Sequence, residues 1–244
     1  MSSKIIALAG QETLLACWSA LARTSPGATL IRSAATAAAV FPTWAPLNNA
    51  IRLRTDDGAA AAAVSQLTSV YADAGVGAWA LWLPSRATDL DTPDDIGDVG
   101  GLTRDTTTLV MQATALRGFR RHEGVVRTSI AAATRATEEP VLAVDLGEPE
   151  RAAGPAAWVK VQDDAAVAGA WSFLHEPDCG IYTVGTSPGW RRRGLARSLV
   201  EHVLADAARR GARTATLQST RMAQPLYESL GFEPAGRYEE WLSQ

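Results

Sequence analysis

Apolar residues recur at helical spacing early in the chain. Leu14, Leu15, Trp18 and Leu21 share one face of the segment Gln11–Ala22, and Ser25-Pro26-Gly27 closes it. An alanine-rich stretch follows, fits neither period, and ends at Phe41-Pro42. Alternation takes over at 48–54, where Ile51 and Leu53 are spaced as in a strand. Asp56-Asp57-Gly58 turns the chain into a helix over 59–74 whose buried face is Val64, Leu67, Val70 and Tyr71, and Gly75 and Gly77 stop it. A short apolar strand at 79–83 ends at Pro84, a polar acidic stretch runs through Asp98, and 106–116 reads as another strand.

From 117 to 154 the pattern is weak, and a boundary between 117 and 118 falls there. Beyond it, 158–162 and 167–174 form a hairpin around Asp163-Asp164, and 179–186 is a third strand. A helix over 194–210 is stopped by Gly211. Then come a strand at 214–218, a short helix at 224–230, and strand-like residues at 238–241. The two halves share the order strand, helix, strand, turn-rich segment, strand, without repeating residue identities. The expected architecture is mixed α/β, with units 1–117 and 118–244, each a mostly antiparallel sheet flanked by helices.

Charge and cysteine usage narrow the function classes. The 244 residues include 26 acidic and 23 basic side chains, a formal net charge of −3, so no broad basic field is available for nucleic acid or anionic membrane. Cys17 and Cys179 lie far apart and outside any CxxC or Cys/His cluster, the usage of a reducing compartment; no metal site is expected. Gln11 and Glu12 interrupt the apolar run after Lys4, and nothing approaches the roughly 20 apolar residues of a membrane span. The expectation is a soluble, cytoplasmic protein.

Against that acidic balance stands GWRRRGLARSLVEHVL, residues 189–204. A helix N-terminus exposes unpaired N–H groups and a positive dipole end, and a glycine lets an anion approach the main chain. Gly194 and Ala196 are small where bulk would block a phosphate chain, and Arg191, Arg192 and Arg193 add charge. Leu195, Leu199 and Val203, beside Ala196, Val200 and Leu204, give the following helix a face that packs on a sheet. On the arginines alone, a solvated basic turn capping a surface helix is an equal reading.

Two landmarks favour the anion site. Arg191-x-x-Gly194-x-Ala196 after a strand, and Pro225-Leu226-Tyr227-Glu228-Ser229-Leu230-Gly231-Phe232 after a further helix and strand, make the segment 158–241 resemble the GNAT superfamily of acyl-CoA-dependent N-acetyltransferases. The first half is similar to the degenerate N-terminal portion of two-part members and lacks the arginine-glycine turn.

The resemblance implies acetyl-CoA as co-substrate. Its pyrophosphate would rest on Arg191, Arg192, Arg193, Gly194, Leu195 and Ala196, with Arg197 nearby. Its pantetheine arm would pair with Val184, Gly185 and Thr186 where the strand splays at a bulge that Gly185 suits. Tyr227 would be the general acid towards the leaving thiolate. Ser219 or Thr220 would stand in for an asparagine that many members carry.

A base for the attacking amine is sought among His175, Glu176 and Asp178, at the turn before the bulged strand; Glu176 is carried forward as the catalytic candidate, although a solvated turn is the favoured reading of each. Trp44, Trp79, Trp82, Trp158 and Trp171 read as core, with Trp171 also a candidate wall of the acceptor pocket. His122 and His202 read as surface residues. The expected acceptor is a small-molecule or peptide primary amine, attacked directly in a ternary complex, and the first unit would complete the acceptor cleft or a homodimer. Competing readings are a non-catalytic acyl-CoA sensor and, less in keeping with the acidic balance, a nucleic-acid contact.

Overall fold

The apolar periodicities become helices and strands much where expected. The computed structural model describes residues 4–5, 7–55, 59–92, 99–137 and 154–243. The expected turn Asp56-Asp57-Gly58, the end of the acidic stretch at 93–98, and 138–153 of the weakly patterned segment lie outside the described residues.

One mixed sheet runs through the chain. Its order is β2 (Thr29–Arg32), β3 (Thr36–Val40), β4 (Asn49–Arg52), β6 (Ala80–Ser85), β13 (Glu233–Leu242), β7 (Thr103–Ala113), β12 (Thr214–Ser219), β11 (Asp178–Thr186), β10 (Ala165–His175), β9 (Ala156–Gln162) and β8 (Val125–Thr128). A separate pair joins β1 (Lys4–Ile5) to β5 (Arg54–Thr55).

Among the described residues two neighbouring pairs run parallel, β4 with β6 and β11 with β12. Each is connected through a helix, as parallel strands require: α2 (Ala59–Asp73) and α4 (Leu195–Arg209). The two sheets expected from the halves are continuous because the closing strands are exchanged. β7, from the first half, lies against β12, and β13, at the end of the chain, lies against β6. β7 and β13 pair with each other and seal the join.

Burial explains the alanine-rich stretch that fitted neither period. All five residues of β3 are buried. Ala37 and Ala39 face the cluster built on α1 (Gln11–Ala22), while Ala38 and Val40 face the cluster built on α2. With both faces covered there is no polar alternation to read.

α1 packs on β2 and β3 and also on β10 and β11, strands from opposite flanks of the sheet. The twisted sheet therefore curls around this helix. At the closure Trp44, just after β3, stacks on Trp171 of β10 with ring centroids 6.4 Å apart.

Other departures are local. The β9–β10 turn takes Asp163 and Asp164 at φ 48° and 58°, the left-handed pair of a two-residue hairpin that aspartate tolerates. β6 continues through Pro84, paired opposite Tyr238. In the weakly patterned segment Ser129 caps α3 (Ile130–Arg135), its Oγ accepting from the Ala132 N–H at 3.2 Å.

Candidate active site

The site begins where two parallel strands part. β11 and β12 are paired from Asp178/Thr214 to Ile181/Leu217, and no further pairing joins them. At that point β11 bulges: Gly169 faces Gly185 and Trp171 faces Tyr182, so Thr183 and Val184 together oppose Ala170. Thr183 has φ 50°, a left-handed backbone in a β-branched residue, a strain on the order of 1–3 kcal/mol. The expected bulge is present, but Thr183 rather than Gly185 carries its conformation.

Gly185 serves close packing instead. A Cβ there would lie 2.6 Å from Thr137 Cβ, so the glycine lets the end of α3 approach. Ser187 Oγ donates to Ala136 O at 3.1 Å, clamping the same junction. Val184, Gly185 and Thr186 thus form a half-exposed edge, braced from behind by a helix that the sequence pattern did not reveal.

The chain then enters the arginine turn. Gly194 is the N-cap of α4 at φ 76°, with no side-chain cap and nothing within 4 Å of a built Cβ, so the first N–H groups of the helix, at Leu195, Ala196 and Arg197, face an open approach. Arg191 Nε donates to Thr186 O at 3.0 Å. Arg193 donates to Gly189 O and lies over the Trp190 ring, 4.8 Å from its centroid. Arg192, at φ 61°, is exposed. Arg197 pairs with Glu201 one turn on in α4 and reaches across to Ser229 Oγ at the end of α5 (Gln224–Glu228), tying the two helices. The buried face of α4, Leu199, Val200, Val203 and Leu204, anchors the helix at about 1.5–3 kcal/mol per side chain.

Tyr227 on α5 is 4% exposed and packs edge-on to Phe232, centroids 5.9 Å apart. It shares a core cluster with Ile181 and Leu217, the last paired residues before the strands part, and Val184 and Leu195 pack against that cluster. Burial pushes its phenol up to about 12, so it carries its proton at neutral pH. Ser219, the last residue of β12, is buried, and its hydroxyl donates to Thr220 O at 2.9 Å.

Glu176 is not brought into this group. Its carboxylate lies 3.5 Å from the Cβ position of Gly211, just past the C-terminal end of α4. The 15 residues of that helix, about 22 Å, separate it from Gly194. The structure therefore places Glu176, expected as the base, at the opposite end of α4 from the arginine turn. Asp178 is a strap, accepting from Thr214 Oγ1 at 2.9 Å and Thr216 Oγ1 at 2.7 Å where β11 and β12 are still paired.

His122 and His202 also differ from expectation. His122 Nε2 meets Glu201 Oε2 at 2.6 Å, and the His122 N–H donates to Nδ1 of the buried His202 at 3.0 Å. The loop after β7 folds back over α4, which the sequence pattern gave no means of seeing.

On the α1 side of the gap lies a cavity of about 240 Å³. Leu14, Cys17, Trp18 and Leu21 of α1 form one wall, and Pro46, Leu47, Asn49 and Trp82 form a second from the first half of the chain. Trp171, Ile181, Tyr182, Thr183 and Gln218 close it from the second half. Trp171, read as core and also as a candidate pocket wall, is buried and lines it. Thr183 and Gln218 stand one on each parting strand, so the cavity opens onto the gap. Sequence reasoning missed most of this lining because the stripe Leu14, Trp18, Leu21 is also what a purely structural core helix shows.

Residues 127–232 match the family described as acetyltransferase (GNAT) family. Among curated proteins, the ribosomal protein bS18-alanine N-acetyltransferase of Escherichia coli (strain K12) is 38% identical over 58 residues, 22% of this chain and 39% of that enzyme. The match thus spans well under two thirds of that relative. Among solved structures, a GCN5-related N-acetyltransferase from Kribbella flavida superposes with TM-score 0.62 at 18% identity, covering 95% of this chain and 94% of its own. A tandem GNAT protein from the clavulanic acid biosynthesis pathway gives TM-score 0.52 at 13% identity, covering 99% and 98%. These likenesses establish the fold: a large mixed sheet flanked by helices.

Proposed function

We propose that the protein is an N-acetyltransferase that moves an acetyl group from acetyl-CoA to a primary amine. The observation that carries this reading is the gap between β11 and β12, with the open N-terminus of α4 beyond the end of β11 and a buried, protonated Tyr227 in the cluster beside it. Acetyl-CoA supplies an activated thioester. The residues present fit it. Main-chain N–H groups at Leu195 to Arg197, with Arg191, Arg192 and Arg193 around Gly194, suit its pyrophosphate, and the free edge at Val184 to Thr186 suits its pantetheine amides.

The acceptor nitrogen forms the new C–N bond as the C–S bond breaks, and the Tyr227 O–H gives its proton to the departing sulfur. With Glu176 distant, the ammonium sheds one proton to water at the gap before attack, and the proton released from nitrogen after attack returns through water to Tyr227. Tyr227→Phe tests the assignment: thiol release is expected to fall by about 10²–10⁴-fold while CoA affinity stays within twofold. Unchanged turnover would refute the role of Tyr227. Retained CoA binding with no thiol release by the unsubstituted protein, for any amine, would favour the sensor reading.

The same proposal takes residues 1–117 as a degenerate unit that completes the acceptor cleft. Its support is the recurrence of one crossover, β4–α2–β6 beside β11–α4–β12, together with the likeness in fold to a tandem GNAT protein. Two buried free cysteines accord with a cytoplasmic site of action.

A further inference from the structure

We propose that the cavity between α1 and the strand gap selects a small monoamine whose body is an aromatic ring or a branched hydrocarbon, with its nitrogen directed to the gap. The assignment of an amine rests on the transferase reading; the assignment of the body rests on the cavity itself.

The volume, about 240 Å³, holds one ring on a short arm and excludes an oligosaccharide or a folded peptide segment. The walls are apolar and aromatic, with Trp18, Trp82 and Trp171 from three separate elements. No Asp, Glu, Lys or Arg is among the described residues that line it. A polycation or a free amino acid would leave charges there without a counter-charge, and such burial is strongly unfavourable.

Two polar side chains stand at the gap end of the cavity. Thr183 and Gln218 flank the gap, whereas Asn49 on the far wall spends an amide N–H on Pro46 O at 2.9 Å. A ligand with an apolar body and one nitrogen is therefore oriented, nitrogen first, towards the place where the thioester would lie. Both halves of the chain build the walls, so selectivity belongs to their closure around α1.

The test titrates the full chain with 2-phenylethylamine, ethylamine and spermidine, followed by tryptophan fluorescence, because three of the eight tryptophans line the cavity. Half-saturation by 2-phenylethylamine is expected at a concentration about 10–100-fold below that of ethylamine, with neutral 2-phenylethanol competing. Leu47→Arg is expected to weaken 2-phenylethylamine at least tenfold. If that variant fails to fold, competition by 2-phenylethanol on the unsubstituted protein decides. Equal half-saturation for the two monoamines, or tighter spermidine, overturns the proposal. Thiol release from acetyl-CoA is measured in parallel with the same amines. Binding of 2-phenylethylamine without thiol release keeps the cavity assignment and sinks the transferase reading. Thiol release with spermidine or an alanyl peptide, without binding of 2-phenylethylamine, does the reverse.

Discussion

Two glycines at opposite ends of α4 allow the proposed anion site to be separated from the stability of the helix that would build it. Gly194 precedes the helix at φ 76° and Gly211 follows it at φ 100°. Alanine at either position forces a side chain into left-handed backbone, about 1–2 kcal/mol, which in a chain of this size lowers Tm by about 2–8 °C. Their surroundings differ. A Cβ at Gly194 meets nothing within 4 Å and projects into the open approach to the helix N–H groups; a Cβ at Gly211 makes ordinary contact with Glu176 at 3.5 Å.

Gly194→Ala should thus cost CoA affinity about tenfold or more, the loss of one hydrogen bond to a charged group, whereas Gly211→Ala should bind CoA as the unsubstituted protein does. Calorimetric titration with CoA, alongside thermal unfolding of both variants, reads the two quantities separately. Equal CoA affinity in the two variants, whether both intact or both weakened, would refute the placement of the pyrophosphate at this turn.

Gly185→Ala should displace Thr137, whose Cβ lies 2.6 Å from the new methyl, and shift the β11 edge; CoA affinity is expected to fall several-fold by calorimetry with folding retained by circular dichroism. For His202, burial holds the imidazole below its usual value of 6.5. The unfolded chain therefore binds more protons just below pH 6.5, so stability is full above that pH and declines as pH falls from 6.5 through the lower folded value. Denaturant unfolding of His202→Gln across pH 5–7.5 should show a flatter decline than the parent; an identical slope would rule His202 out as a source.

The conformation of the arginine turn was legible because its signals are local: a glycine at positive φ, a small residue two positions on, and an apolar face that persists through α4. The short helix that carries Tyr227 was legible for the same reason, within a motif closed by Gly231-Phe232. The base was not. Glu176 and Thr186 are near in sequence, yet β11 is nine residues long and extended, about 3.3 Å per residue, so its two ends stand well apart. Linear proximity to a strand does not say which end of it a loop occupies. Strand exchange was equally hidden, since β7 and β13 would show the same alternation against either neighbour. The cavity depended on that exchange and on the curl around α1, both properties of backbone pairing.

Amide hydrogen exchange with and without CoA tests the central claim most directly. Slowed exchange is expected at Val184 to Thr186 and at Leu195 to Arg197, with Cys179 and Gly180 in the paired part of β11 unchanged. Protection absent from both segments, or confined to the β10–β11 turn around Glu176, would contradict the seating of the coenzyme between the parted strands.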